Sequence, residues 1–297
     1  MKSKTVQLSR NDRIFYAVTN TIMIILTIIV LYPMIYVVSS SFSSSSAVQS
    51  GKVFLWPVDF SLEGYKAVLT NRDIGTGYKN SLIYTVVGTT VNVFFTMVCA
   101  YPLARKNLPY KGYVMFLFTF TMFFSGGMIP HYILNVKLGL IDSRLVMIIP
   151  GLISVYNMII ARTFIQNSIP GELLEAAQVD GCSDTRYFFT MVLPLSKAVI
   201  AVLALYYAVG HWNAYFNAFM YLNSRKYYPL QLFLREILIQ NQISADDLDP
   251  ELAEMKAALA EVLKYSLIIV ASLPVLVVYP FVQKYFMKGV MLGSVKG

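Results

Sequence analysis

Six stretches of this chain, each 17–25 residues long, contain no Asp, Glu, Lys or Arg. A helix needs about 20 apolar residues to cross a bilayer, and a charge at its centre costs roughly 2.5–3.5 kcal/mol. Charged residues make up 13% of this chain, against about 25% in soluble domains. We therefore predict an all-α integral membrane protein with six transmembrane helices. The predicted spans are Ile14–Val38, Ser81–Tyr101, Tyr113–Pro130, Leu145–Ala161, Ala198–Leu222 and Tyr265–Val282.

The charge-free windows also restrict the class of transporter. A proton- or ion-coupled carrier usually needs carboxylates within the membrane. A stand-alone secondary transporter or channel would in addition be expected to contain inverted repeats, and the sequence shows neither feature. A membrane-embedded enzyme would need a cluster of nucleophile and base, or of metal ligands. His211 has no carboxylate within a helical turn, and Cys99 and Cys182 lie far apart in the sequence. We expect His211 and Trp212 to be packing residues, and we predict no catalytic and no metal site.

The distribution of charge indicates orientation. The net charge is +8, but the basic residues are scattered over loops, which does not favour nucleic-acid binding. With the N-terminus inside, 13 Lys and Arg fall on inside segments and 11 on outside ones, a weak positive-inside bias. The loop Pro102–Gly112 is basic without acids, whereas Asn223–Lys264 holds seven of the sixteen acids. We therefore predict a multi-pass protein with both termini in the cytoplasm.

The spans define the organisation of the chain. A cytoplasmic arm (1–13) precedes a six-helix permease domain (14–286) with external loops at 39–80 and 223–264, and a cytoplasmic tail (287–297) follows. The serine run Ser39–Ser46 predicts a flexible start of the first loop. Asp249-Pro250-Glu251 predicts the start of an external amphipathic helix.

Several spans contain helix-breaking residues. Pro33, Pro150 and Pro274 interrupt the first, fourth and sixth spans, and Ser125–Pro130 should loosen the end of the third. Such backbone is tolerated at membrane depth where protein or a water-filled cavity covers it. Ordinary packing kinks and the lining of a transport pathway both remain open as interpretations.

A polar segment (168–194) separates the fourth and fifth spans and is too polar to cross a membrane. Ser168 predicts a helix N-cap, and the following proline and acids predict a short helix from about Pro170 to Val179. Asp180-Gly181 predicts a sharp turn, and a second short segment leads to Pro194. Glu175 offers a charge to a basic partner, while Ala176 and Ala177 leave room for close approach.

The spacing Glu175-Ala176-Ala177, three residues, Gly181, nine residues, then Met191-x-Leu193-Pro194 closely resembles the coupling loop of ABC importer permeases. Met191 stands where that family typically has Ile. The resemblance implies the type I importer transmembrane fold, with a cytoplasmic coupling helix between the fourth and fifth spans. In that family, the coupling helix seats in a cleft of the cytoplasmic ATPase. By this resemblance, the residues expected to couple the permease to the ATPase are Glu172, Glu175, Ala176, Ala177, Asp180, Gly181 and Pro194.

Two further segments resemble the MalG-related sugar permeases of the LplC/YtcP-like branch, namely Phe123–Pro130 and His211-Trp212-Asn213. The tail is similar to the MalG tail that reaches between two ATPase subunits, which implies ATPase contacts for Gly293, Val295, Lys296 and Gly297. The resemblance implies a bacterial cell membrane permease for carbohydrate, with a homologous sister permease, two cytoplasmic ATPases and an extracellular solute-binding lipoprotein. An importer of a non-sugar solute is the alternative.

The source of energy is expected in another chain. Gly51-Lys52 lacks the glycine five residues earlier that a phosphate-binding loop requires. We therefore expect no cofactor here, with ATP and Mg²⁺ bound by the partner ATPase.

Polar residues recur at steps of three or four in the fifth span. They could offer hydrogen bonds and stacking to a sugar, or they could join helices to each other. These candidate substrate-path residues are Tyr206, Asn213, Asn217 and Tyr221.

Overall fold

The structure is a computed structural model that describes residues 9–243 and 262–280, and these residues form helices and no strand. The helices are α1 (Arg10–Ser41), α2 (Ser45–Gln49), α3 (Glu63–Thr70), α4 (Arg72–Ala104), α5 (Lys111–Phe123), α6 (Met128–Lys137), α7 (Val155–Ser168), α8 (Gly171–Val179), α9 (Asp184–Tyr187), α10 (Leu193–Leu195), α11 (Lys197–Trp212), α12 (Phe216–Tyr221), α13 (Leu230–Ile243) and α14 (Val262–Pro280). The described residues form two compact units, one of residues 9–71, 237–243 and 262–271, the other of residues 72–236 and 272–280.

In the first unit, the serine run is an ordered and buried joint, so the prediction of a flexible segment was wrong. Ser39 Oγ donates to Leu55 O at 2.7 Å, and Ser41 Oγ lies 2.8 Å from Tyr65 Oη. Ser43 Oγ accepts from Val58 N at 3.0 Å. Most buried hydroxyls are hydrogen-bonded, and the partners of these three lie 15–24 positions further along the chain. The buried hydroxyl of Ser40 has no partner among the described residues.

Helix α1 is continuous, so the predicted interruption at Pro33 does not occur. The helix begins with a capping box between Ser9 and Asp12, which satisfies amides that no helix partner reaches. The helix α14 likewise runs through Pro274. Proline is tolerated within membrane helices because neighbouring groups compensate for the lost backbone bond.

In the second unit, α4 packs along both α7 and α11. Small residues such as Ala100 and Ala161, both fully buried, let these helices approach closely. Larger side chains, among them Met97, Met158 and Leu203, fill the remaining space and are also fully buried. This three-helix core positions the segments that precede and follow it.

Among the described residues, three helices are long and apolar enough to cross a membrane, namely α1, α4 and α14. Three bent pairs raise the number to six if each pair is one span. The pair α5 and α6 bends by 114°, at the predicted loosening before Met128. The 3-10 turns at Arg144–Gly151 bend by 53° against α7, at the break that follows Gly151, and Pro150 lies in the last of these turns. The segment Asp184–Leu195 bends by 80° against α11.

The loop boundaries differ from the predicted ones. Helix α4 begins at Arg72, so the end of the predicted loop 39–80 is helical, and α2 and α3 lie within that loop. Helix α13 lies within the predicted loop 223–264 and was not expected. The predicted helix after Asp249 falls almost wholly outside the described residues, as do the tail 287–297 and its residues Gly293, Val295, Lys296 and Gly297.

Candidate functional site

The polar segment after α7 forms a short helix that ends in a tight turn. Helix α8 begins after Pro170, which is its N-cap, so the predicted capping by Ser168 was wrong: Ser168 ends α7 instead. Gly181 has φ +71°, a left-handed conformation that glycine adopts without a steric penalty. The Cys182 amide donates to Ala177 O at 2.9 Å and closes the turn.

Helix α8 has two different faces. Leu174 and Ala177 pack against the core of the second unit, so the small size of Ala177 permits packing within this chain. Glu172, Glu175 and Ala176 are exposed. The exposed face therefore combines two carboxylates with little bulk.

Val179 completes that exposed face. It lies four and seven residues after Glu175 and Glu172, and 88% of it is exposed. A single exposed apolar side chain is common on protein surfaces, so Val179 adds apolar area to this face without marking a contact by itself. Sequence reasoning missed Val179, although its helical spacing from the two acids was a usable signal.

The chain returns from α8 to the membrane through an irregular helical connection. Ser183 caps α9 by accepting from the Arg186 amide at 3.3 Å. The next five residues, Phe188–Val192, form a π-helical turn, a geometry that often marks functional sites. Pro194 is exposed in α10, just before the 80° bend into α11.

An ion pair links this connection to the end of α4. The Arg105 guanidinium lies 2.7 Å from the Asp184 carboxylate, and Arg162 Nε donates to Leu103 O at 3.0 Å. The second bond satisfies one of the carbonyl groups that every helix leaves free at its C-terminus. Helices α4, α7 and α9 are thereby tied together next to α8.

The four candidate substrate-path residues of the predicted fifth span do not lie on one helix. Helix α11 ends at Trp212 with Asn213 as its C-cap, and α12 starts only at Phe216, so no single helix carries all four residues. Asn217 and Asn213 are exposed, and Tyr206 is 41% exposed.

The fourth candidate substrate-path residue, Tyr221, is buried, with 7% of its surface exposed. Its ring stacks on Tyr132 with centroids 6.0 Å apart. Its position therefore supports packing between α12 and α6.

A buried amide that sequence reasoning missed joins three segments of the core. Asn92 Nδ2 donates to Gly151 O at 2.5 Å and to Leu152 O at 3.0 Å. Its Oδ1 lies 3.0 Å from His211 Nε2, and because Oδ1 only accepts, Nε2 carries the proton. At Gly88, an added Cβ would lie 2.5 Å from that same Nε2. The lone amide in an apolar window was the available signal.

A second buried bond links the same helices. The Tyr207 hydroxyl accepts from the Ser154 amide at 2.9 Å and lies 2.7 Å from Thr96 Oγ1. Ser154 is the N-cap of α7, so Tyr207 satisfies a backbone group at the helix break. Trp212 is buried as expected.

Asp142, in the segment after α6, binds the segment that follows α12. Its carboxylate accepts from the Ser224 hydroxyl at 2.5 Å and from the amides of Ser224 and Asn223 at 2.8 and 3.0 Å. These bonds, that of the Ser224 hydroxyl above all, lower the pKa of the Asp142 carboxyl. Within residues 9–243 and 262–280, no three His, Cys, Asp or Glu side chains come together as a metal site would require.

The fold defines the class of protein. It matches the crystal structure of a bacterial ABC transporter involved in the import of the acidic polysaccharide alginate, with a TM-score of 0.86 and 34% identity over 95% of this chain and 100% of that one. The fold is therefore that of an ABC transporter permease.

The family follows from the sequence. The chain belongs to the binding-protein-dependent transport system inner membrane components, whose family model matches residues 5–292. It is 41% identical to the polygalacturonan/rhamnogalacturonan transport system permease protein YtcP of Bacillus subtilis (strain 168), over 96% of this chain and 99% of that protein. It is also 41% identical to the protein LplC of the same organism, over 91% and 90%. The predicted resemblance to this branch of permeases is confirmed.

Proposed function

We propose that this chain is the transmembrane permease of an ATP-driven, binding-protein-dependent ABC importer whose cargo is an oligosaccharide. Similar permeases carry the names of systems for polygalacturonan and rhamnogalacturonan and for melibiose, raffinose and stachyose, and the similar solved transporter imports an acidic polysaccharide. Carbohydrate is the chemistry that these proteins share. The family membership and the exposed acidic helix α8 together carry the proposal.

The proposed assembly has this chain and a homologous sister permease in the bacterial cell membrane, with six spans and both termini of this chain in the cytoplasm. Two ABC ATPases bind ATP and Mg²⁺ on the cytoplasmic side, and an extracellular lipoprotein delivers the solute. This chain supplies no cofactor and no catalytic group. The tail residues Val295 and Lys296 are assigned ATPase contacts by resemblance alone.

The geometry supports a mechanical role for α8. Its exposed face (Glu172, Glu175, Ala176 and Val179) would seat in the ATPase, and Ala177 would hold its other face on the permease core. A displacement of α8 by ATPase closure reaches α4 through the ion pair of Asp184. It reaches α11 through the π-helical turn and the bend at Pro194. Helices α4 and α11 would therefore move together with α8.

The substrate path is the second part of the proposal. Asn213 and Asn217 are exposed at the break between α11 and α12, and Tyr206 is partly exposed, so these three can offer hydrogen bonds to hydroxyl groups of a sugar. Tyr221 would act through its stacking on Tyr132 rather than by direct contact.

The test uses the complex reconstituted in proteoliposomes with its binding protein. Glu175→Lys should leave membrane insertion and basal ATPase activity intact and should abolish ATP-driven uptake of oligosaccharide, because the reversed charge meets a basic partner. Glu63→Lys, the same reversal on the exposed start of α3, is the matched control and should transport normally. Full transport by Glu175→Lys would refute the coupling role.

A further inference from the structure

Arg235 lies over an aromatic surface formed by α12. Its guanidinium carbon is 4.4 Å from the ring centroid of Phe219 and 5.5 Å from that of Tyr215. The two rings are four residues apart and therefore lie on one side of α12. They are 53% and 43% exposed, so a molecule in the surroundings can reach both rings, and Arg235 itself is partly exposed.

The neighbouring guanidinium groups have polar partners, whereas Arg235 has none among the described residues. Arg225 pairs with Asp73 at 2.7 Å and with Glu236 at 3.1 Å. Arg144 donates to Asn80 Oδ1 at 3.1 Å. In the described part of the chain, the guanidinium of Arg235 makes ring contacts but no hydrogen bond and no ion pair.

This arrangement is suited to a planar anion. A guanidinium presents five N–H donors in a rigid fork that matches a carboxylate with two parallel bonds. Cation–π attraction to the two rings holds the guanidinium in place, and its N–H donors have no partner among the described residues. The exposed ring faces would in turn pack against the apolar face of a sugar ring, which supplies contact area beside the charged group.

We propose that Arg235, with Tyr215 and Phe219, binds the carboxylate of an acidic sugar during import. This inference rests on the proposed function, because it gives the substrate class of that importer. Arg235 lies in α13, outside the candidate membrane spans and within the predicted external loop 223–264. In the proposed topology this is the side where cargo arrives.

The test compares two cargoes that differ in charge. Uptake of trigalacturonate and of its uncharged methyl ester is measured with the reconstituted complex and its binding protein, in vesicles of phosphatidylcholine. Arg235→Gln should lower trigalacturonate uptake about tenfold, the effect of losing one hydrogen bond to a charged group. Arg235→Lys should retain part of it. Lys137→Gln, which removes an exposed positive charge at the end of α6, is the matched control and should transport normally.

A structural role would give a different result, since ATPase stimulation by the binding protein should be unchanged in Arg235→Gln. Equal loss of both cargoes, or loss of that stimulation, would overturn the inference. An effect for both cargoes that occurs only in vesicles with phosphatidylglycerol would assign Arg235 to a lipid headgroup and would also overturn it. Wild-type uptake of the ester alone would overturn the acidic-sugar inference and leave the importer standing. No uptake of any oligosaccharide would instead refute the proposed function.

Discussion

The buried amide of Asn92 offers a quantitative test of how the core is held together. Asn92→Leu keeps a side chain of similar size but removes both donors and the acceptor. It thereby leaves Gly151 O, Leu152 O and His211 Nε2 without their observed partner. Hydrogen bonds within membrane proteins contribute about 0.6 kcal/mol each on average. Three bonds predict a loss of about 2 kcal/mol in the free energy of unfolding.

The assay is thermal unfolding of the purified complex in detergent, followed by the reaction of thiols with a fluorogenic maleimide. Cys99 and Cys182 are free and partly buried, so each reports the opening of its surroundings. At roughly 2–4 °C per kcal/mol, the midpoint should fall by about 4–8 °C. Thr90→Val is the matched control, because Thr90 lies on the exposed side of the same helix and bonds only to Val86 O. Its midpoint should stay within about 2 °C of wild type.

The reasoning would be refuted if Asn92→Leu melted like Thr90→Val. A second variant tests the same junction independently. Gly88→Ala places a methyl group 2.5 Å from His211 Nε2 and should displace the ring, since real Cβ contacts are not this short. Combined with Asn92→Leu it should cost less than the sum of the two single changes, because both remove the same bond.

Two further predictions concern charged groups outside the spans. The lowered pKa of Asp142 means that its contribution to stability is complete above the ordinary carboxyl pKa and is lost as pH falls through the lowered one. The melting midpoint of Asp142→Asn should therefore lie below that of wild type at pH 7. The difference between the two midpoints should shrink below about pH 4, and a difference that persisted at low pH would contradict this account. Asp184→Asn removes a partly exposed ion pair and should cost at most about 1 kcal/mol, yet it should lower the amount of oligosaccharide imported per ATP hydrolysed. The charge exchange Arg105→Asp with Asp184→Arg should restore that ratio, and no recovery would count against transmission through this pair.

The sequence predicted which regions are helical because an apolar segment of this length satisfies its own backbone hydrogen bonds in a bilayer by forming a helix. It also predicted a break in the fourth span near Pro150 and the loosening before Met128, since proline and glycine act locally. It did not predict the continuity of α1 through Pro33. Whether a proline bends a helix depends on the groups around it, and those are set by tertiary structure.

The candidate site was predictable in part for the same reason. The turn at Gly181 follows from local backbone preference, and α8 follows from its composition. The break after Trp212 follows Gly210 by two residues, but glycine is common within membrane helices and does not by itself mark an end. The predicted fifth span was therefore extended past this break. The partner of Asn92 lies 119 residues away, and no local pattern reports such a contact.

The serine joint of the first unit has a consequence for how the protein is made. Helix α1 is exposed from residue 10 to residue 35 and, among the described residues, packs through its last turns. The hydroxyl partners of those turns, among them Leu55 and Tyr65, leave the ribosome later than the helix itself. Insertion of α1 into lipid and its attachment to the rest of the unit are therefore separate steps. A substitution in the joint would leave α1 in the membrane but unattached.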